Sequence, residues 1–128
     1  MSDFAYWGKH LIINARAGNL DKVQSKENIS AFVAELVVAI DMITYGPLWI
    51  ERFATHDPIK AGISFIQMIE TSNITGHFVD HDGDFYLDVF SCKDYETETV
   101  LALVDQYFGP ESTEFVEILR DAKSGPML

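Results

Sequence analysis

Residues Ile74 to Ser91 read ITGHFVDHDGDFYLDVFS. Two short runs, Ile74–Val79 and Phe85–Ser91, are rich in β-branched and aromatic residues, and Asp80-His81-Asp82-Gly83-Asp84 between them is polar. Runs of that length are strands, and an Asp-Gly pair between two of them favours a tight hairpin. Working upstream, Leu48–Ala54 and Gly62–Ile69 are two further strand-like runs, separated by a turn at His56-Asp57-Pro58. Gly8–Ala15 reads as a first strand around Leu11, Ile12 and Ile13, and Thr113–Leu119 as a last one. Hairpins imply mostly antiparallel pairing.

Two helices complete the pattern. From Lys26 to about Thr44, the residues Ile29, Phe32, Val33, Leu36, Val37 and Ile40 recur on one helical face. Ser25 is the expected N-cap, and Gly46-Pro47 the expected stop. Glu96–Phe108 presents Val100, Leu101, Val104, Tyr107 and Phe108 on one face and ends at Gly109-Pro110. Ala17–Gln24 is a polar connection. The order β-α-β-β-β-β-α-β predicts a single α+β domain over residues 1–128, a two-layer sandwich with two helices packed on one face of an antiparallel sheet. The other face is left for solvent or a partner.

The formal net charge is −11, with nine Lys and Arg against twenty Asp and Glu. No basic stretch tracks a phosphate backbone or an anionic membrane, so nucleic acid and membrane are not expected partners. The acidity suits a small cationic or zwitterionic ligand. The lone cysteine, Cys92, permits no internal disulfide and fits a reducing cytoplasm. Met1 to Lys9 lacks a basic segment followed by an apolar core, so it does not read as a signal peptide.

Polar residues gather around one predicted strand pair: Glu70, Thr71, Ser72, Asn73, Thr75 and His77, with Cys92 at the end of the next strand. A hairpin turning at Asp82-Gly83 brings Cys92 back towards Ser72. Ser72 and His77 are five apart, so on a regular strand their side chains face opposite sides. A bend or bulge near Asn73 or Gly76 is needed to bring them together. The residue types allow an activated serine and a proton-donating thiol. They equally allow a strand-end Ser, an edge His and a buried Cys acting as a small hydrophobe. The Asp80–Asp84 segment does not match a calcium loop, because its Gly is at the fourth position rather than the sixth and its twelfth residue is Ser91. No metal is expected.

Several short motifs resemble the small prokaryotic S-adenosylmethionine decarboxylases, including shorter phage-type versions. They are Gly62-Ile63-Ser64, then Thr71-Ser72-Asn73-Ile74-Thr75-Gly76-His77, then Asp88-Val89-Phe90-Ser91-Cys92. Gly8-Lys9-His10-Leu11 resembles the family's opening, and Tyr107-Phe108-Gly109-Pro110 with Val116-Glu117 its close. The resemblance implies a proenzyme that cleaves itself between Thr71 and Ser72, leaving fragments 1–71 and 72–128. The cofactor it implies is a pyruvoyl group derived from Ser72, whose carbonyl condenses with the substrate amine. It gives His77 the role of base in the elimination and Ser64 an assisting role in processing. It gives Cys92 the role of returning a proton to the substrate carbon. Phe53 and Phe78 are candidates for stacking on the ligand. The resemblance further implies decarboxylated S-adenosylmethionine for spermidine synthesis as the product, and a homodimer of cleaved protomers as the working form.

The chain departs from the family pattern in three places. Thr71 stands where the family has Glu, and Asn73 follows the serine where the family has His. Phe78-Val79-Asp80-His81-Asp82-Gly83 replaces a Thr-Trp-Pro-Glu-Tyr-Gly segment of the substrate pocket. The last departure opens a second reading, the same chemistry on arginine or ornithine with Asp80, Asp82 and Asp84 meeting the cation. A third is an unprocessed homologue that only binds a ligand or partner.

Overall fold

The computed structural model describes residues 5–128; Met1–Phe4, part of the segment read as lacking a leader, lie outside the described residues. The chain runs β1 (Gly8–Arg16), α1 (Leu20–Val23), α2 (Lys26–Ala39), β2 (Trp49–Phe53), β3 (Gly62–Ile69), β4 (Ser72–Val79), β5 (Phe85–Ser91), α3 (Thr97–Phe108) and β6 (Ser112–Arg120). One sheet holds all six strands in the order β2-β3-β4-β5-β1-β6, and every neighbouring pair is antiparallel. The α+β two-layer reading therefore holds, with one addition. A one-turn helix, α1, forms inside the segment read as a polar connection, capped by the Asn19 side chain, and buries Val23.

Side chains alternate across the sheet with period two. Leu11, Ile13, Phe65, Ile74, Phe78, Phe85, Leu87 and Val89 lie on the helix-covered face and are buried. The α2 stripe read from the sequence, Ile29 to Ile40, is buried with them. Phe78 sits at the centre of this layer, its ring centroid 5.0 Å from Phe85 and 4.9 Å from Phe108. Alternation by itself does not name the outward set on β5. Phe85, Leu87 and Val89 are the inner set; Tyr86, Asp88 and Phe90 are the outer.

The long helix ends earlier than the sequence suggested. Asp41 adopts a left-handed φ of 59°. Its N–H donates to the Val38 carbonyl, and the Met42 N–H reaches back to Val37 at 2.8 Å. Those two bonds satisfy the last carbonyls and turn the chain. The stop is thus at Asp41, not at Gly46-Pro47. Residues Ile43–Tyr45 then run beside the end of β3. The Glu70 N–H donates to Ile43, the Tyr45 N–H donates to Met68, and Thr44 bridges Ile69. At the β4–β5 hairpin, Gly83 has a φ of 81°, a conformation glycine adopts without penalty.

Candidate functional site

The β3–β4 turn holds only Glu70 and Thr71, because Ile69 pairs directly with Ser72. Such short turns favour positive φ within the turn, yet neither turn residue adopts one. The distortion falls on Ser72, with a φ of 151°. That region is nearly closed to residues with a Cβ, and holding one there costs roughly 1–3 kcal/mol.

The β5 end supplies what holds it. Ser72 pairs with Ser91, and the Cys92 N–H donates to the Thr71 carbonyl at 2.9 Å. Cys92 itself is free and exposed, which removes the reading of it as a buried hydrophobe. The loop it opens is tied down at several points. Lys9 Nζ, nearly buried, donates to the Tyr95 carbonyl at 2.8 Å. The Tyr95 hydroxyl donates to Val89 at 2.7 Å, and burial pushes that phenol above its ordinary range. Lys93 Nζ bonds the Asp41 carboxylate at 2.7 Å.

His77 is not part of this cluster. Strand β4 pairs with both neighbours without interruption from Ser72 to Phe78, so the bend or bulge considered near Asn73 or Gly76 is absent. Five residues of strand separate Ser72 from His77 by about 16 Å. His77, like Thr75, faces the open side, while Ile74 and Phe78 face the helices, as the burial alternation of β4 indicates. His77 pairs instead with Ser64, whose Oγ lies 2.5 Å from Nδ1. Trp49, Phe53, Phe65 and Ile66 wall a small cavity at Ser64. The open-face rings of Trp49 and Phe53 meet edge-on at 6.1 Å.

Phe53 is exposed beside the Ser64–His77 pair. Phe78 is not: it is fully buried in the core, so its candidacy as a stacking residue is corrected. Trp49 was not singled out from the sequence, although it lies four residues before Phe53 on the same strand face. Another pair, His10 and Asp88 at 2.9 Å, also sits on the open face. A larger cavity, about 660 Å³, opens beside Phe90 and is walled by Tyr6, Trp7, Arg120 and Lys123. Phe90 pairs with Asn73, so this cavity adjoins the Ser72 end of the sheet.

The acidic turn proposed to meet a cationic substrate is otherwise engaged. Asp80 holds Arg52, an Asp82 oxygen accepts from the Asp84 N–H, and an Asp84 oxygen accepts from the Ala17 N–H. All three lie at the opposite end of β4 from Ser72. Among the described residues, no three His, Cys, Asp or Glu side chains come together to hold a metal ion. None of their helices is long and apolar enough to cross a membrane.

The S-adenosylmethionine decarboxylase family model matches residues 9–121. The chain belongs to that family. The crystal structure of the adenosylmethionine decarboxylase from Aquifex aeolicus superposes with a TM-score of 0.77 at 16% identity, covering 91% of this chain and 92% of that one. At that identity the likeness speaks for a shared fold. A search of curated proteins returns no match. Within the family frame, the motifs at Ser64, Ser72, His77 and Cys92 fall into two clusters, Ser72 with Cys92 and Ser64 with His77.

Proposed function

We propose that this chain is a decarboxylase of S-adenosylmethionine, supplying decarboxylated S-adenosylmethionine for spermidine synthesis, with a pyruvoyl group made from Ser72. The observation that carries this reading is the backbone at Ser72. Around an L-Cα, Cβ is offset by about 120° from the carbonyl carbon, so a φ of 151° turns Cβ to within roughly 30° of eclipsing the Thr71 carbonyl carbon. An extended strand residue holds its Cβ far from that position. A five-membered ring through the Thr71 carbonyl carbon and the Ser72 N, Cα, Cβ and Oγ needs this rotation. The residues therefore fit formation of the group.

The chemistry follows from the same atoms. Ser72 Oγ attacks the Thr71 carbonyl carbon, forming an ester as the amide C–N bond breaks, and the hydroxyl proton passes to the Ser72 nitrogen. The Cys92 N–H stabilises the oxygen on which charge develops. Removal of the Ser72 Cα proton then breaks the Cβ–O bond. Thr71 leaves as a carboxylate, and water displaces ammonia from the remaining fragment. When Ser64 Oγ accepts from Nδ1–H of His77, Nε2 carries the lone pair needed to take that proton. The pyruvoyl carbonyl supplies the electron sink for loss of CO2. Cys92, beside it and exposed, returns a proton to the substrate carbon.

Within one chain His77 lies too far from Ser72 to act on it, so the working unit is a homodimer in which one copy's Ser64–His77 pair meets the other's Ser72. The open face favours such pairing. Trp49, Phe53, Ile66, Met68, Tyr86 and Val116 are all exposed on this chain, and two sheets packed face to face bury side chains of this kind. The cavity beside Phe90, with Trp7 and Phe90 as its aromatic walls, is the place next to Ser72 for an adenine ring and a sulfonium.

Intact mass spectrometry tests the reading. Purified protein is expected as two chains, 1–71 and 72–128, the second blocked at its N-terminus. A folded preparation that stays one unmodified chain after long incubation removes it.

A further inference from the structure

The geometry points to a chain of side-chain hydrogen bonds, Lys93 N–H to Ser91 to Thr71 to Met42, as the device that sets the Thr71–Ser72 peptide for self-cleavage, with Ser91 as its positioning residue. This rests on the self-cleavage reading above and deepens it. Ser91 Oγ lies 2.8 Å from Thr71 Oγ1. It accepts the Lys93 N–H at 3.0 Å. Thr71 Oγ1 lies 3.2 Å from the Met42 sulfur.

The two ends of this chain and its contact lengths give its direction. A backbone N–H only donates, and a thioether only accepts. The Thr71 hydroxyl makes the shorter contact to the Met42 sulfur and donates to it, and its oxygen accepts from the Ser91 hydroxyl. Ser91 in turn accepts the Lys93 N–H on one of its two lone pairs. Ser91 also lies 3.6 Å from the same sulfur, a longer contact than either hydroxyl bond. Ser91 is fully buried and Met42 nearly so, which keeps water from competing for these bonds.

The consequence falls on the scissile bond. The end of β5 now grips Thr71 twice, through the Cys92 N–H on its carbonyl and through Ser91 on its side chain. With Thr71 held on both sides, the peptide plane cannot rotate to relieve Ser72, and the unfavourable φ is borne there. Relaxing Thr71 lets Ser72 return to an ordinary strand conformation, in which Cβ swings away from the carbonyl carbon. The network thus acts on the acyl shift from nitrogen to oxygen and leaves the later elimination to His77. Thr71 stands where the family pattern has Glu, so the hydroxyl in this network is not part of that pattern.

The test measures cleavage of the full chain over time by intact mass, with and without hydroxylamine, which cuts an ester but not an amide. Thr71→Val keeps the shape and removes the hydroxyl; Ser91→Ala removes the donor; Thr71→Ser restores the hydroxyl. Thr71→Val and Ser91→Ala are expected to cleave about tenfold more slowly, with hydroxylamine giving no recovery, since one buried hydrogen bond is worth about that factor. Thr71→Ser is expected within about threefold of the wild type. The proposal is overturned if Thr71→Val cleaves at the wild-type rate, recovers it in hydroxylamine, or is matched in slowness by Thr71→Ser. If Ser91→Ala does not fold, the two Thr71 variants decide. A folded wild type that never cleaves, even in hydroxylamine, removes the self-cleavage reading and this inference with it; a cleaving wild type with indifferent variants removes only the inference.

Discussion

The two ends of β4 differ in kind. At its start, Ser72 sits in a strained conformation beside the end of β5. Near its far end, His77 is an unstrained strand residue facing outwards, bonded to Ser64 on β3. One end is built to distort a peptide bond and the other to orient an imidazole. A regular strand keeps them apart, so in the proposed reaction the two groups come from different copies. What the difference teaches is that spacing along a sequence locates the residues of a mechanism without saying that they meet within one copy.

Mixing chains is the most severe way to break this comparison. Ser72→Ala is expected to abolish cleavage altogether. His77→Ala is expected to slow it by about 100-fold or more, since it removes a general base. Co-expressed, the two variants complement if the halves come from different copies: the His77→Ala chain, which keeps Ser72, is cleaved by borrowing His77 from its partner. Intact mass distinguishes the chains. If no fragment of the His77→Ala chain forms in a verified mixed dimer, the shared site is lost.

The next effect sharpens the Ser72 half. Cys92→Ala leaves a free, exposed position altered, so its thermal midpoint should stay close to the wild type. The Cys92 N–H to Thr71 survives the substitution, so cleavage should proceed. Turnover of S-adenosylmethionine by the cleaved protein is expected to fall by about 100-fold, the scale of a lost proton donor. Full activity in Cys92→Ala returns the cysteine to an incidental surface role.

A third comparison sets two phenylalanines against each other. Phe78→Ala opens the centre of the aromatic core and is expected to cost about 3–5 kcal/mol of stability. Phe53→Ala removes an exposed ring beside Ser64 and should barely move stability, while raising KM about fivefold if the ring stacks on substrate. Denaturant unfolding and initial rates separate the two. An unchanged KM in Phe53→Ala would take that ring out of the site.

Much of this was legible in the sequence. The strands Gly62–Ile69 and Phe85–Ser91 have the boundaries that their runs suggested, because β-branched and aromatic residues bounded by turn residues leave little choice. The inner stripe of α2 was equally plain. The end of that helix was not. Asp41 is an ordinary helix-compatible residue by composition, and its left-handed turn depends on Met42 being drawn into the core. The site divided in the same way. The return of Cys92 to the Ser72 end of β4 follows from hairpin geometry. What periodicity did not reveal was that β4 would remain regular, leaving His77 with Ser64. Phe78 was misread for a related reason: strand alternation shares out two faces without naming the one that the helices cover.

The smallest effect probes the outer support of the Ser72 end. Lys93 follows Cys92 and reaches Asp41, both at its carboxylate and at its backbone carbonyl, at 2.7 and 2.6 Å. The hydrogen bond and the nearby ammonium charge hold the Asp41 carboxyl below its ordinary value of 3.8. A carboxyl lowered by folding contributes stability that is present above the unfolded value and is lost as pH falls through the folded one. Asp41→Asn tolerates the same left-handed turn and removes only the charge. It should therefore be slightly less stable than the wild type near neutral pH and indistinguishable from it once the carboxyl is protonated, well below pH 3.8. Both groups are well exposed to solvent, so salt should erase the difference too. Thermal midpoints of the two proteins at neutral and acid pH, in low and high salt, check each part. A deficit in Asp41→Asn that persists in acid and in high salt would mean that the turn geometry, rather than the ion pair, depends on the aspartate.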